Sequence, residues 1–280
     1  MRVKLAKNLG FCFGVKRAVG IASGLLCQGE SKAYCLGPLI HNSQVVDKLS
    51  KSGLKVVDNL DRLKGGTLVI RSHGASPDAI MRAREKSMKI VDATCPFVKR
   101  LHLAAKSYGE KGYKVVIVGD AGHPEIEALS GVAGELVVVN DAKDVQRHNL
   151  NGKKVALLAQ TTQSKANFKA VLAKLKKMRL AGLSTFDTIC RDSTNRQSGA
   201  LRLAKSVDVM VVLGGKNSAN TKRLVSLCKK ACARTYHVET AGEIRDSWFS
   251  SGAKVGIASG ASTPDWVIKE VLEKLERGDK

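Results

Sequence analysis

Three stretches of this 280-residue chain follow one plan, and that repetition constrains the fold more than any single motif. NLGFCFGVKRAVGIA, DATCPFVKRLHLAAK and DTICRDSTNRQSGALRLAK each join a strand end, a cysteine, a basic residue and a helical pattern. About 28 residues after each cysteine comes a second strand-to-helix turn. It reads LGPLIHNSQVVDKL with His41, VGDAGHPEIEAL with His123, and LGGKNSANTKRL with Asn217 and Ser218. A third turn follows in VIRSHGASPDAI, LLAQTTQSKANF and IASGASTPDWVI. Short apolar strands such as VVIVGD, KVALLA and VMVVLGG alternate with these helices, which calls for βα units and parallel sheets. The expected fold is therefore α/β, with three lobes that have parallel-sheet cores. In open parallel sheets the working edge is the carboxyl end of the strands, where every polar landmark above lies. Packed about a pseudo-threefold axis, the lobes would bring these edges, and one cysteine each, to a common centre.

Bulk properties narrow the class. The N-terminus MRVKLAKNLG has no apolar core or cleavage site of a signal peptide, and no stretch has the length of a membrane span. The expected compartment is the cytoplasm, without membrane association. In a reducing compartment seven cysteines point to metal binding, catalysis or plain burial rather than to disulfides. Cys228 and Cys232 stand four apart in a helical pattern, and they are expected to be buried apolar residues, as are Cys27 and Cys35. The formal net charge of +22 attracts anions: nucleic acid, phosphorylated metabolites or an acidic protein. Only six Phe, four Tyr and two Trp are present, with none of the aromatic-basic interleaving of an RNA-binding sheet, which argues against nucleic acid.

Cys12, Cys95 and Cys190 occupy matching places in the three repeats. Three thiolates meeting at a centre can hold an iron–sulfur cluster and leave one iron with no protein ligand. Structural zinc favours close ligand pairs, whereas these cysteines stand 83 and 95 residues apart; a catalytic zinc stays open. His41, His73 and His123 lie at strand-to-helix turns, and with Ser218, Asn220 and Ser262 they suggest a phosphate-type site at helix N-termini. No GxxxxGK[ST] loop is present, which argues against nucleotide binding of that kind. Glu125, two residues past His123, is placed to deliver protons, and Thr161 in AQTT to relay or orient them.

GFCFGVKRA (10–18), GPLIHN (37–42), RSHG (71–74), DATCP (92–96), GHPE (122–125), QTT (160–162), TIC and TNRQ (188–197), GKNSANTKRL (215–224) and SGASTPD (259–265) resemble the 4-hydroxy-3-methylbut-2-enyl diphosphate reductase family, also called IspH or LytB, of the non-mevalonate isoprenoid pathway. The resemblance runs from Met1 to about Val271. It implies three α/β lobes around a central iron–sulfur site: 14–95, 96–186, and 187–280 completed by the N-terminal strand 1–13. It implies a [4Fe–4S] cluster on Cys12, Cys95 and Cys190, and reductive removal of an allylic hydroxyl to give isopentenyl and dimethylallyl diphosphate. By motif, His41, His73, His123, Ser218, Ala219, Asn220 and Ser262 would hold the diphosphate. Glu125 would donate a proton, and Thr161 would line the hydroxyl end of the substrate. The electron donor would be a small acidic protein such as ferredoxin or flavodoxin. The chain departs from the family pattern at Ala219, where members often carry a second serine, and at Arg191 and Asp192, which are unusually charged beside a cluster ligand. Two readings from other classes compete with this one, a basic nucleic-acid-binding protein and a zinc hydrolase.

Overall fold

The computed structural model describes residues 1–277, so residues 278–280 of the expected third lobe lie outside the described residues. Strand β1 (Arg2–Leu5) opens the chain and helix α1 (Phe13–Cys27) follows. The first lobe then runs β2 (Ala33–Leu36), α2 (Ser43–Lys51), β3 (Lys55–Val57), β4 (Thr67–Ile70), α3 (Pro77–Glu85) and β5 (Lys89–Asp92). The second runs α4 (Pro96–Glu110), β6 (Lys114–Val118), α5 (Pro124–Glu127), β7 (Leu136–Val139), β8 (Lys154–Ala159), α6 (Lys165–Leu175) and β9 (Gly182–Thr185). The third runs α7 (Arg191–Ala204), β10 (Val209–Leu213), α8 (Ala219–Lys229), β11 (Thr235–Val238), β12 (Lys254–Ser259) and α9 (Asp265–Arg277).

The repeat in the sequence becomes a repeat in topology. Each lobe has a four-stranded sheet, in the orders β3-β2-β4-β5, β7-β6-β8-β9 and β11-β10-β12-β1. Every pairing is parallel. The fourth strand of the third sheet is the first strand of the chain, paired Arg2 to Lys254 through Leu5 to Ile257. Equivalence extends to single hydrogen bonds at the strand ends. The amides of Gly37, Gly119 and Gly214 donate to the carbonyls of Val57, Val139 and Val238 at 2.9, 3.0 and 2.9 Å. Those of Ser72, Gln160 and Gly260 donate to Leu39, Val118 and Leu213 at 3.1, 2.9 and 2.7 Å.

Alternation along the strands feeds two cores per sheet, since successive side chains point to opposite faces. In the second lobe Val115 and Ile117 pack with Leu101, Ala105 and Leu129 on one face. Val116 and Val118 pack with Phe168, Val171 and Leu175 on the other. In the third, Met210 and Val212 meet Ala200, Ala204, Leu224, Cys228 and Cys232, while Val211 and Leu213 meet Val267, Val271 and Leu275. Each Val, Leu, Ile, Met or Phe among them, removed from water, contributes about 1.5–3 kcal/mol. By packing, the chain divides into two compact units. One comprises 16–40 and 46–190, with the first two sheets; the other comprises 1–15, 41–45 and the chain from Arg191 onward, with the third.

Cys35, Cys228 and Cys232 are buried as expected, but Cys27 is exposed at the end of α1. Burial pushes the Cys35 thiol up to about 12, against a smaller opposing pull from Arg71. Burial, aided by Cys232, likewise pushes Cys228 up to about 12. These two thiols are therefore protonated core residues. No helix among the described residues is long and apolar enough to cross a membrane.

Gly109 in α4 shows how closely the second lobe is packed: a Cβ there would stand 2.6 Å from the backbone carbonyl oxygen of Ala133. Gly109→Ala should destabilise by about 1–3 kcal/mol through overpacking and lower Tm by roughly 3–10 °C in calorimetry. An unchanged Tm would show that the helix moves away at no cost.

Candidate active site

The three repeat cysteines each stand at the head of a helix. Cys12 precedes α1, Cys95 caps α4 and Cys190 precedes α7; each is half-buried. Their amides make equivalent bonds, each to the turn that follows the third strand of a sheet. Cys12 donates to Ala261 O at 3.0 Å, Cys95 to Ser72 O at 3.0 Å and Cys190 to Thr161 O at 2.9 Å. The first-turn amides point at sulfur: Val15 N–H donates to Cys12 Sγ at 3.4 Å. Burial raises the Cys95 thiol above its ordinary value, while hydrogen bonds from the Phe97 and Val98 amides act in the opposite sense and favour thiolate. Half-buried sulfurs at helix N-termini, with amide donors and no disulfide, are the donor chemistry that a thiolate-ligated metal group requires.

Three arginines brace the cysteine loops. Arg17 in α1 donates to Thr94 O (3.1 Å) and Asp92 O (3.4 Å), just before Cys95. Arg100 in α4 donates to Asp187 O at 2.9 Å, before Cys190. Arg196 in α7 donates to Asn8 O (3.1 Å) and Ser259 O (3.4 Å), before Cys12 and at the end of β12. Each helix that starts after one cysteine thus sends an arginine to the backbone leading into the next. The sequence marked a basic residue after each cysteine as part of the repeat but gave it no role. Arg196 also accounts for Asp192 beside Cys190: it is buried and its Nε bonds Asp192 at 2.6 Å, one helical turn away. Asp92 and Asp187 add side-chain caps, to Thr94 N (2.8 Å) and Ile189 N (3.0 Å). Burial alone would raise the Asp92 carboxyl, but hydrogen bonds from Lys99 and Thr94 outweigh it and hold it below the usual carboxylate range.

Glu125 lies in α5, which starts sharply because Gly122 takes φ +77° and Pro124 occupies the first turn. Its carboxylate is 2% exposed and accepts two bonds from one residue: Thr161 N–H to Oε1 at 2.6 Å and Thr161 Oγ1–H to Oε2 at 2.8 Å. Its own amide donates to His123 Nδ1 at 3.1 Å, so any N–H that this neutral imidazole offers comes from Nε2. The His73 ring meets His123 edge-on, with centroids 5.4 Å apart. Thr161 is the hinge of the arrangement, holding Glu125 through its amide and hydroxyl and Cys190 through its carbonyl. Gln160, fully buried and missed by sequence reasoning, fixes this turn by accepting from Asp120 N at 2.9 Å and donating to Thr162 Oγ1 at 3.2 Å. His102 was also missed. It packs under Gly74, and burial lowers its pKa, so it stays neutral.

The third lobe contributes a different kind of site. Ser218 caps α8 by accepting from Thr221 N at 3.3 Å. In the first turn Asn220 is 3% exposed, yet neither atom of its side-chain amide has a hydrogen-bond partner. A buried polar group left this way costs about 1–3 kcal/mol, which marks a place built for a ligand. Ala219 lies beside it, buried. Ser262 donates its hydroxyl to His41 O at 2.9 Å, and Gly215 approaches the same carbonyl so closely that a Cβ would be 2.6 Å from it. A helix N-terminus with an unsatisfied buried amide fits an anion. Thus one compact unit gathers Cys95, Cys190, His73, His123, Glu125 and Thr161. The other holds Cys12, His41, Ser218, Ala219, Asn220 and Ser262.

This fold has solved counterparts. One structure, titled as (E)-4-hydroxy-3-methyl-but-2-enyl diphosphate reductase, the terminal enzyme of the non-mevalonate pathway, is 39% identical, with a TM-score of 0.69 over 99% of this chain and 100% of that one. A Plasmodium falciparum reductase structure is 26% identical, with a TM-score of 0.91 over 99% of this chain and 87% of that one. Residues 3–276 match the family described as LytB protein, and the chain belongs to that family. Relatives named 4-hydroxy-3-methylbut-2-enyl diphosphate reductase include those of Pelobacter propionicus, 46% identical over 98% of each chain, and Geobacter metallireducens, 44% identical over 100% of this chain and 98% of the relative. Family membership displaces the nucleic-acid-binding and zinc-hydrolase readings.

Arg196→Met should cost roughly 2–4 kcal/mol in urea unfolding, because the pair of a buried guanidinium with the half-buried Asp192 and two carbonyl contacts are lost together. A loss near zero would mean that Arg196 does not brace the loop.

Proposed function

We propose that this chain is a 4-hydroxy-3-methylbut-2-enyl diphosphate reductase acting in isoprenoid biosynthesis. The reaction consumes (E)-4-hydroxy-3-methylbut-2-enyl diphosphate, two electrons and two protons. It yields isopentenyl or dimethylallyl diphosphate and water. Beyond family membership, the observation that carries the reading is the buried Glu125–Thr161 pair, tied through the Thr161 carbonyl to Cys190.

Cys12, Cys95 and Cys190 would hold a [4Fe–4S] cluster. When bound, that cluster supplies electrons one at a time and an iron open to the oxygen being removed. His41, His73, His123, Ser218, Asn220 and Ser262 grip the diphosphate, with the Ala219 amide in place of a serine hydroxyl. The Asn220 side-chain N–H group gains an acceptor when the anion arrives. Thr161, whose hydroxyl bonds Glu125 Oε2, would line the hydroxyl end of the substrate. Once Glu125 has taken up one of the two protons, it donates to the Thr161 hydroxyl, which passes its own proton to the departing oxygen; the diphosphate delivers the other to carbon. Burial of Glu125 keeps water from competing for the transfer. The enzyme works in the cytoplasm and takes electrons from a small acidic carrier such as ferredoxin or flavodoxin.

Glu125→Gln tests the scheme. The variant should keep its visible cluster spectrum and bind substrate, while kcat falls about 100-fold or more. Near-normal turnover would remove Glu125 as proton donor. Ala219→Ser should restore a hydroxyl to the diphosphate and lower KM by about tenfold at constant kcat. An unchanged KM would show that the backbone amide at 219 already suffices.

A further inference from the structure

On the unit that carries Cys95 and Cys190, exposed aromatics flank both cysteine loops. Phe97, two residues after Cys95, is 36% exposed, and Phe186, four before Cys190, is 38% exposed. Cations surround them. Arg100 lies over the Phe186 ring, 5.1 Å from its centroid, and bonds Asp187 O. Lys165 pairs with the Asp187 carboxylate. Lys99, next to Arg100 on α4, pairs with Asp92 at 2.5 Å, and Arg17 donates to the Asp92 carbonyl. The contacts form two groups, Phe186–Arg100–Asp187–Lys165 before Cys190 and Lys99–Asp92–Arg17 before Cys95, and the first turns of α4 carry Phe97, Lys99 and Arg100, with Phe97 and Arg100 three apart and so on neighbouring positions of one helix face; both acids are already paired and the balance is positive. Isolated exposed apolar residues need no explanation. Two exposed aromatics at the two cysteine loops, with arginine and lysine on the same segments, have the makeup of a protein interface with an apolar centre and a charged rim.

We propose that this face docks a small acidic protein that carries one electron at a time. The proposal rests on the reductase reading and gives its electron donor a place. Complementary charge selects the partner: a +22 chain attracts an acidic carrier, and the cationic rim steers it. The aromatics then exclude water over the path to Cys95 and Cys190. Each docked carrier is oxidised by one electron, so two carriers serve each substrate, and the protons follow the balance given above. The contrasting basic surface is a groove lined by Lys222, Val225, Ser226, Lys229, Lys230 and His237, which has lysines but no aromatic centre apart from the imidazole.

The test uses the holoenzyme and an oxidised flavodoxin as probe. Titration calorimetry at low and high salt gives affinity, and turnover is followed with reduced flavodoxin and, separately, with reduced methyl viologen. Phe97→Ala/Phe186→Ala should weaken flavodoxin binding by about tenfold or more. Lys165→Glu should slow association and flatten its salt dependence. Lys165→Glu, on α6, should keep turnover with methyl viologen within about twofold, and the double aromatic variant, which keeps the Phe97 amide, should keep the visible cluster spectrum of the wild type. Lys222→Glu/Lys229→Glu should leave flavodoxin affinity unchanged. Wild-type affinity in the double aromatic variant would overturn the proposal. So would variants that lose RNA binding or self-association while keeping flavodoxin affinity. Absence of methyl viologen turnover in the wild type would instead sink the reductase reading, with the binding titration still deciding the docking face.

Discussion

One backbone contact, made three times, sets the positions on which the chemistry depends. After the fourth strand of each sheet the chain enters a cysteine loop, and the cysteine amide bonds to the turn at the end of the third strand. Strand spacing in a parallel sheet is fixed by its ladder, so this bond places each sulfur relative to a rigid edge. The arginines from α1, α4 and α7 hold the approach to each loop by its carbonyls. In the second lobe the accepting carbonyl belongs to Thr161, the residue that also holds the Glu125 carboxylate. A single residue therefore fixes a sulfur and an acid together.

The lobes repeat in backbone and differ in side chains, and the site is built from the differences. The second turn of each lobe is capped by Asn42, His123 or Ser218. In the second lobe that turn leads to the four-residue α5, just long enough to present Glu125. In the third it leads to an eleven-residue helix with Asn220 in its first turn, where orphan amides and a positive dipole end favour an anion. Similar frames thus present a buried carboxylate in one place and an unsatisfied amide at a helix N-terminus in another.

Much of this was legible in the sequence. Alternating apolar strands and helices, repeated around a cysteine, dictated parallel sheets with equivalent edges, and the motifs singled out Glu125 and Thr161, which two hydrogen bonds pair. Burial of Cys27 was not legible correctly. A cysteine at the end of a helix reads as apolar whichever side it faces, and here it faces solvent. The roles of Arg17, Arg100 and Arg196 were hidden because their targets are backbone carbonyls, which leave no mark in side-chain pattern. Gln160 was hidden for a related reason: its partners are an amide 40 residues away and a hydroxyl two residues on. The grouping of 41–45 with the third sheet also follows from packing alone, as when Ser262 reaches the His41 carbonyl.

Mössbauer spectroscopy of iron-57-enriched, anaerobically purified protein, with acid-labile sulfide measured on the same sample, tests most directly whether Cys12, Cys95 and Cys190 serve a single cluster. The account predicts a cubane signature in which one iron differs from the other three, with iron and sulfide in equal amounts, and loss of that signature in Cys12→Ser, Cys95→Ser and Cys190→Ser alike. Zinc without sulfide, or a cluster that survives any one of these substitutions intact, would contradict it.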